Sequence, residues 1–264
     1  MTATDMAATR ATKVAPTVFL RRVRLDRVPH SGYPFSLPVV KHLMASGGLD
    51  LEAPVILLTG ENGTGKSTLV EALAIACGFN PEGGSQAFRF ATRASESSLA
   101  EHLVVSWRAG RRPRTGFFLR AESFYNVATE IERLDADPGS PPLLAAYGGV
   151  SPHERSHGES FLDLVIHRFG PDGLYFLDEP EAALSVHGCL ALLRRVVELA
   201  QAGSQMIIAT HSPILLAVPG ARIIQVDADG ATTEVSYDAA MPVAVTRAFL
   251  ADPRRFLHHL LNDA

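Results

Sequence analysis

The chain has 264 residues, of which 47% are hydrophobic and 20% are charged, which is the composition of an ordinary globular protein. A chain of this size can bury the core of one large domain, or of one domain with a small subdomain. Its formal net charge of −4 excludes a general attraction to nucleic acid, and no apolar run reaches the ~18 residues of a membrane span.

The N-terminal residues and the two cysteines indicate where the protein resides. Residues 1–16 are polar and rich in Ala and Thr, without the apolar segment of a secretion signal, and they predict a disordered tail. Cys77 and Cys189 have apolar neighbours in predicted helices and show no metal-ligand spacing. Buried free thiols are typical of a reducing compartment, so we expect a cytoplasmic protein.

The first part of the chain is rich in strand patterns. In chain order it predicts a strand over 18–26, a turn over 29–33, strands over 34–40 and 54–58, a helix over 67–77, and strands over 88–92, 103–107 and 115–120. Residues 110–113 have the composition of a hairpin turn between the last two strands. We therefore expect an antiparallel sheet beside the main one.

The second part alternates helix and strand. The pattern predicts helices over 124–134, 159–169 and 186–202, strands over 173–177, 206–210 and 222–226, a mobile loop over 135–142, and one or two amphipathic helices over 241–261 that pack on the core. Buried strands that alternate with helices are typical of a parallel sheet covered on both faces. The fold class is therefore α/β.

A phosphate-binding loop follows the strand over 54–58. Residues 60–67 read Gly-Glu-Asn-Gly-Thr-Gly-Lys-Ser, a G-x4-G-K-S motif placed directly before a helix. Backbone N–H groups and the helix N-terminus form a cradle for phosphate oxygens, and the lysine adds a positive charge. The predicted ATP-binding residues are Gly60, Glu61, Asn62, Gly63, Thr64, Gly65, Lys66, Ser67 and Thr68, with the Ser67 hydroxyl as a Mg²⁺ ligand.

Two adjacent carboxylates end a later apolar strand. Leu174-Tyr175-Phe176-Leu177 runs into Asp178 and Glu179, the arrangement expected of a Walker B segment beside the phosphate loop. Asp178 is predicted to hold Mg²⁺, directly or through water, and Glu179 to polarise the attacking water.

Residues 178–185, Asp-Glu-Pro-Glu-Ala-Ala-Leu-Ser, resemble the Walker B and D-loop run of the ABC-type ATPases. Residues 206–213 resemble the switch segment of that family, which implies that His211 contacts the γ-phosphate. Residues 156–160, Ser-His-Gly-Glu-Ser, resemble a variant of its signature. The resemblance implies that Ser156, Gly158 and Glu159 reach the nucleotide of a partner subunit in a head-to-tail homodimer. It covers residues 18–226.

Some positions of this sequence differ from the family's typical residues, and some of the family's roles have more than one candidate residue. His157 and Glu159 stand where Gly and Gln are typical of the signature. The family's Q-loop Gln is absent from residues 119–124, so Glu122, as a third metal ligand, and Gln86 are the alternative candidates. Tyr33 and Phe35 are candidates for stacking on adenine, with a core role favoured for each.

Two further patterns leave other partners open. Residues 153–157 match H-E-x-x-H, a zinc pattern, but the flanking glycines and Pro152 argue against the continuous helix that zinc binding requires. Arg111, Arg112 and Arg114 form a local basic cluster, which is typical of a solvated strand edge or hairpin turn. A partner-binding patch is the alternative, and contact with nucleic acid stays undecided.

These features together predict residues 17–240 as an ABC-type ATP-binding domain with a helical subdomain over 123–170 and an extension over 241–264. The expected function is Mg-ATP binding and hydrolysis in an ATP-dependent homodimer that acts as a conformational switch. The alternatives are a regulatory or scaffold module with negligible turnover and the nucleotide-binding subunit of a membrane transporter. An unknown protein partner is compatible with all of them.

Overall fold

The structure is a computed structural model, and it describes residues 18–26, 32–81, 83–84, 98–122, 124–135 and 156–262. Within these ranges the strands are β1 (Leu20–Leu25), β2 (Leu49–Asp50), β3 (Val55–Gly60), β4 (Leu103–Trp107), β5 (Thr115–Arg120), β6 (Gly173–Asp178), β7 (Gln205–Ala209), β8 (Arg222–Val226) and β9 (Thr232–Val235). The helices are α1 (Pro38–Ser46), α2 (Lys66–Ala76), α3 (Phe124–Asp135), α4 (His157–Arg168), α5 (Val186–Gln201), α6 (Met241–Ala251) and α7 (Pro253–Asn262).

The larger sheet has six strands in the order β5-β6-β7-β3-β8-β9. The first five run parallel, and β9 pairs antiparallel with β8 at one edge. Both faces are buried, because Ile56 and Leu58 of β3 belong to a core cluster with α2, whereas Val55 and Leu57 belong to a second cluster with α4 and α5. The predicted α/β fold with a parallel, helix-flanked core sheet is confirmed.

A smaller antiparallel sheet with the order β2-β1-β4 lies against the larger one. The contact centres on Gln205 at the start of β7, which is fully buried. Its side-chain oxygen accepts hydrogen bonds from the backbone N–H groups of Phe19 and Leu20, at 2.7 Å each. Its nitrogen donates to the carbonyls of Leu20, Leu51 and Ala53. One buried amide thus joins the two sheets.

Most predicted elements are present to within about two residues at each end. The hairpin between the strands over 103–107 and 115–120 is wrong, because β4 pairs with β1 whereas β5 pairs in parallel with β6. The buried run Phe117-Phe118-Leu119 is the physical reason, since a strand covered on both faces belongs inside the larger sheet. The antiparallel sheet exists, but its members are β2, β1 and β4.

The strand predicted over 34–40 is also wrong, because a helix forms there. Pro38 lies at the start of α1, where a missing N–H costs nothing, and Gly47 ends the helix at a φ of 76°. Val39, Val40 and Leu43 face the core at helical spacing. The short strand β9 was not predicted.

The C-terminal residues form the two expected helices, but their packing differs from the prediction. Val243 of α6 is buried, whereas Val245, Phe249, Leu257 and Leu260 are 37–63% exposed. Neither Phe249 nor Phe256 belongs to a core cluster. Their rings contact each other edge to face between α6 and α7, with centroids 5.7 Å apart. The expected packing of this apolar side on the core is therefore wrong.

Several predictions fall outside the described residues. They are the tail over 1–16, the strand over 88–92, Gln86, most of the turn over 29–33, most of the loop over 135–142, and residues 153–155 of the zinc pattern. The domain boundaries at 16/17 and 240/241 stay predictions. Cys77 and Cys189 are buried free thiols, as expected.

Candidate nucleotide-binding site

The phosphate loop lies between the end of β3 and the start of α2. Gly60 has a φ of 135°, and a Cβ there would lie 2.0 Å from the Val226 carbonyl oxygen, so only glycine fits. Gly63 and Gly65 have φ values of 79° and 99°, in the left-handed region. These conformations let the loop turn tightly, so that α2 begins directly after Gly65.

Lys66 is the buried cation of this loop, with 4% of its surface exposed. Its Nζ donates hydrogen bonds to the carbonyl oxygens of Gly60 at 3.0 Å and Glu61 at 2.6 Å. Burial lowers the pKa of Lys66, although the Glu179 and Asp178 carboxylates oppose that shift. The ammonium group is thus held within the loop, on neutral carbonyl acceptors, beside two acids.

A depression of about 160 Å³ opens at the loop and includes Glu179, which directly follows β6. The lining residues are Leu37, Asn62, Gly63, Gly65, Lys66, Ser67, Thr68 and Glu179. Tyr33 borders the same region, because its hydroxyl lies 3.5 Å from the Thr68 Oγ1. The structure therefore brings the predicted phosphate-binding residues and one of the predicted acids to one place.

The two acids reach the loop across an intervening strand. Strand β7 separates β6 from β3, and Asp178 at the end of β6 pairs with Ala209 of β7. Glu179 has a φ of 47°, a left-handed conformation that is uncommon for a residue with a side chain, and its N–H donates to the Ala209 carbonyl. All three parallel strands place their carboxyl ends at one edge, where α/β proteins bind ligands.

Glu179 is the candidate base of this edge, with 41% of its side chain exposed. Burial raises the pKa of Glu179, and the neighbouring charges of Asp178 and Glu181 raise it further. Glu122, which is exposed, adds a smaller shift of the same sign to the pKa of Glu179. A carboxylate with a raised pKa is a stronger base at neutral pH than an ordinary one.

Asp178 is the candidate metal ligand, and one of its two oxygens is already engaged. Its Oδ2 accepts from Arg120 Nε at 3.1 Å, whereas its buried Oδ1 has no hydrogen-bond partner among the described residues. A buried carboxylate oxygen without a partner suits a Mg²⁺ ion, which prefers oxygen ligands. Within the described ranges no three His, Cys, Asp or Glu side chains form a complete metal site. Mg²⁺ is commonly bound by one or two protein oxygens plus phosphate and water, so the residues fit it.

His211 follows β7 directly, and its Nε2 lies 3.7 Å from the Glu179 Oε1. That nitrogen is buried and has no hydrogen-bond partner in the described part of the chain. Burial lowers the pKa of His211, and the charge of Lys66 adds to this while Asp178 opposes it, which favours the neutral imidazole. The backbone N–H of His211 donates to the Glu181 Oε1 at 2.5 Å, which fixes the residue at the sheet edge.

The signature segment lies elsewhere on the chain. Ser156 is the N-cap of α4, and Glu159 completes a capping box with it: the Ser156 backbone N–H and hydroxyl both donate to Glu159 Oε2, at 3.1 and 2.5 Å. Ser156, Gly158 and Glu159 line a second depression of about 470 Å³ together with residues that begin α5. The structure does not bring them to the phosphate loop of the same chain.

Sequence reasoning missed Arg120, Glu71 and Glu181. Arg120 ends β5 and Glu71 lies in α2, so only strand register brings Arg120 to Asp178, and only helix packing brings Glu71 to Arg120. The S-x-x-E spacing of the capping box, by contrast, was readable in the sequence. Burial lowers the pKa of Arg120, but the Asp178 and Glu71 carboxylates outweigh it and raise the pKa overall.

Two family models match parts of the chain. Residues 45–109, which hold the phosphate loop, match a family described as "AAA domain", and residues 148–217, which hold the two acids and His211, match "AAA domain, putative AbiEii toxin, Type IV TA system". Both matches describe an AAA domain, which agrees with the phosphate loop at residues 60–67 and the α/β fold of a P-loop ATPase. No curated protein matches the chain.

Three of the solved structures that align with the chain resemble it distantly, each at 14% identity. One, titled "An inward-facing conformation of a putative metal-chelate type ABC transporter", aligns over 88% of this chain and 89% of its own with a TM-score of 0.47. The SMC head domain from Thermotoga maritima aligns over 83% and 99% with a TM-score of 0.42. The SmcHead bound to the C-winged helix domain of ScpA aligns over 87% and 100% with a TM-score of 0.46. Among the described residues, no helix has the length and apolar content to cross a membrane.

Proposed function

We propose that this chain binds Mg-ATP and hydrolyses its γ-phosphate. The observation that carries the proposal is the convergence of Lys66, Glu179 and His211 at the carboxyl ends of β3, β6 and β7. The loop N–H groups and Lys66 bind the phosphates, since a phosphate oxygen is a stronger acceptor for Nζ than the two carbonyls it now contacts. Glu179 orients the attacking water and accepts its proton, and the neutral His211 donates from Nε2 to the γ-phosphate.

Ser67 and Asp178 are the residues that hold Mg²⁺ in this proposal. Ser67 lines the loop depression, and Asp178 offers the buried Oδ1 that has no partner among the described residues. When bound, the ion supplies positive charge that offsets the charge of the phosphate oxygens. Glu122 lies close enough to Glu179 to raise its pKa, and its role as a third ligand stays a prediction.

A head-to-tail homodimer completes the site in this proposal. The loop depression of about 160 Å³ is smaller than the roughly 300–1,000 Å³ of pockets that enclose a drug-sized ligand, so ATP bound there stays partly uncovered. Ser156 and Gly158 lie in a separate depression of about 470 Å³ at the N-termini of α4 and α5. Helix N-termini attract anions, so this second surface can cover the phosphates bound by another copy.

The Glu179→Gln variant tests the proposal. The amide keeps the shape of the side chain but cannot accept a proton, so turnover should fall by about 10²–10⁴-fold while ATP affinity changes little. In ATP and Mg²⁺ the variant should elute as a dimer in size-exclusion chromatography with light scattering.

The matched control is Glu234→Gln, an exposed residue of β9 at the far edge of the sheet. It should hydrolyse ATP at the parental rate and form no trapped dimer. Parental turnover in Glu179→Gln would remove Glu179 as the base, and a parental protein that takes up no ATP in calorimetry would end the proposal.

Tyr33 is the adenine-stacking residue in this proposal. Its ring is 73% exposed, and its hydroxyl lies 3.5 Å from Thr68 at the edge of the loop depression. The core role favoured from the sequence is therefore wrong for Tyr33, whereas Phe35 is buried in the core as expected. An exposed aromatic ring beside a phosphate site offers a flat apolar surface to a base.

A second candidate function is an ATP-dependent regulatory module with negligible turnover. The observation that favours it is the engagement of Ser156, whose hydroxyl donates to Glu159 within its own chain. A signature serine held in this way contacts a partner's phosphate less readily. ATP-dependent dimerisation with slow turnover that Glu179→Gln leaves unchanged would favour this function over hydrolysis.

A further inference from the structure

Arg120 joins the two elements that carry the phosphate loop and the acids. It is the last residue of β5, directly opposite Asp178 in the parallel register of β5 and β6. Its Nε donates to Asp178 Oδ2 at 3.1 Å, and its Nη2 donates to Glu71 Oε2 of α2 at 2.6 Å. The guanidinium thus bridges a strand end and the helix that follows the phosphate loop.

The bridge is largely withdrawn from water. The exposed fractions of the side chains are 22% for Arg120, 14% for Glu71 and 6% for Asp178. Charged hydrogen bonds at such sites are strong and keep a side chain in one orientation. Arg120 occupies only Oδ2 of Asp178, and Oδ1 is buried without a hydrogen-bond partner among the described residues. One carboxylate oxygen is held and the other is left available.

The charges of this bridge bear on its role. An arginine that merely neutralised Asp178 would compete with a metal ion, because both would draw on the same negative charge. Here Glu71 offsets the net charge of Arg120 and so reduces the positive field of Arg120 at Asp178. The chief contribution of the pair is therefore to orient the Asp178 carboxylate.

We propose that Arg120, anchored by Glu71, is a positioning residue that holds the Asp178 carboxylate with Oδ1 available for Mg²⁺. The inference rests on the function proposed above and adds a residue to it. Partners that orient metal ligands contribute about 10–100-fold to metal affinity in other proteins. Arg120 itself touches neither nucleotide nor metal.

The test is a charge-neutral double variant, Arg120→Met with Glu71→Gln. It removes the bridge without changing the net charge. Because the positive Arg120 contacts Asp178 directly, its removal would by field alone favour Mg²⁺ binding, so a loss of metal affinity reports the lost orientation. The affinity for a non-hydrolysable ATP analogue with an imido group between the β- and γ-phosphates is measured calorimetrically over a series of Mg²⁺ concentrations. We expect the Mg²⁺ concentration for half-maximal effect to rise by about 10–100-fold. The affinity without Mg²⁺ should change by less than about threefold, since Lys66 and the loop are intact.

A matched control removes a similar pair far from the site. Arg222 Nε lies 2.7 Å from Glu234 Oε2 at the start of β8, the strand end remote from the phosphate loop. The double variant Arg222→Met with Glu234→Gln should leave the Mg²⁺ requirement unchanged. Thermal unfolding of each variant establishes that the measured chain is folded.

Arg120→Lys gives a second test, should the double variant fail to fold. Lysine keeps the charge but lacks the planar fork that contacts both carboxylates, so we expect a rise of about 3–10-fold in the Mg²⁺ requirement. An unchanged or lowered requirement in either folded variant would overturn the inference. If the parental protein shows no Mg²⁺-dependent binding of the analogue, the proposed function fails first, which is a distinguishable result.

Discussion

The two sheets of this protein differ in what their ends carry. The six-stranded sheet ends in the phosphate loop, the two acids and His211, whereas the three-stranded sheet carries none of the predicted catalytic or metal-binding side chains. The difference follows from strand direction. Parallel strands bring their carboxyl ends to one edge, while antiparallel strands send neighbouring ends to opposite edges. The smaller sheet can therefore influence the site through its contact with the larger sheet.

The connection between the sheets includes a polar link in addition to a shared apolar core cluster. Gln205 satisfies backbone groups of β1 and of the segment after β2 from its position at the start of β7. This amide lies at the amino end of β7, opposite the edge that carries His211. A change there tests the smaller sheet without touching the site.

Gln205→Leu should have the largest effect on stability, because it removes the polar link between the sheets. Leucine leaves two buried N–H groups and three carbonyls without their side-chain partner, and each such group costs about 1–3 kcal/mol. Partial relaxation reduces the sum, so we expect the free energy of unfolding to fall by about 4 kcal/mol or more. Denaturant titration measures it.

Gln201→Leu is the control, because Gln201 is exposed at the end of α5. That substitution should change the unfolding free energy by less than about 0.5 kcal/mol. If Gln205→Leu were equally mild, the smaller sheet would be held by its apolar contacts alone, and the comparison between the sheets would lose its polar link.

Tyr33→Ala tests whether the segment between β1 and α1, which contains Tyr33, contributes to ATP binding. Stacking of a base on an aromatic side chain is worth about 1–3 kcal/mol, so ATP affinity should fall by roughly 5–150-fold. Because Tyr33 is 73% exposed, thermal stability should hardly change. Calorimetric titration with ATP measures the loss.

Tyr33→Phe separates stacking from the hydroxyl contact with Thr68. Phenylalanine keeps the ring, so its ATP affinity should remain within about threefold of the parental value. Equal affinities in the alanine variant and the parent would show that the base does not stack on Tyr33.

Local sequence patterns predicted the strands of the larger sheet well, but they predicted poorly which strands pair with each other. Apolar runs such as Leu174-Tyr175-Phe176-Leu177 indicate a buried strand whatever its neighbours in the sheet are. The G-x4-G-K-S motif specifies a strand before it and a helix after it. Pairing is not local: residues 103–107 and 115–120 look like a hairpin in sequence, yet they belong to different sheets. The helix over Pro38–Ser46 was misread because Phe35, Leu37 and Val39 alternate like a strand just before it and into its first turn.

The same limit applies to the site. Lys66, Asp178 and Glu179 were predicted from motifs whose spacing is set by one strand, one loop and one helix. Arg120 contacts Asp178 only because β5 pairs with β6, and Glu71 contacts Arg120 only because α2 packs over that edge. Glu181 lies in the same motif as Asp178, but its bond to the His211 N–H depends on β7 lying beside β6. Contacts between elements require the topology, which no single motif contains.

Glu181→Gln should give the smallest effect and concerns the acidic edge of the larger sheet. Burial, Asp178 and Glu181 raise the pKa of Glu179, so removing the Glu181 charge lowers that pKa. Glu179 acts as the carboxylate, and turnover is lost as pH falls through its pKa. The acid limb of the pH profile should therefore move to lower pH.

Glu122→Gln should move the acid limb in the same direction by less, since Glu122 affects the pKa of Glu179 least. The pH dependence of kcat measures both shifts. Glutamine retains an oxygen for the His211 N–H, so a large loss of kcat at high pH, or a limb that moves upward, would contradict the electrostatic origin.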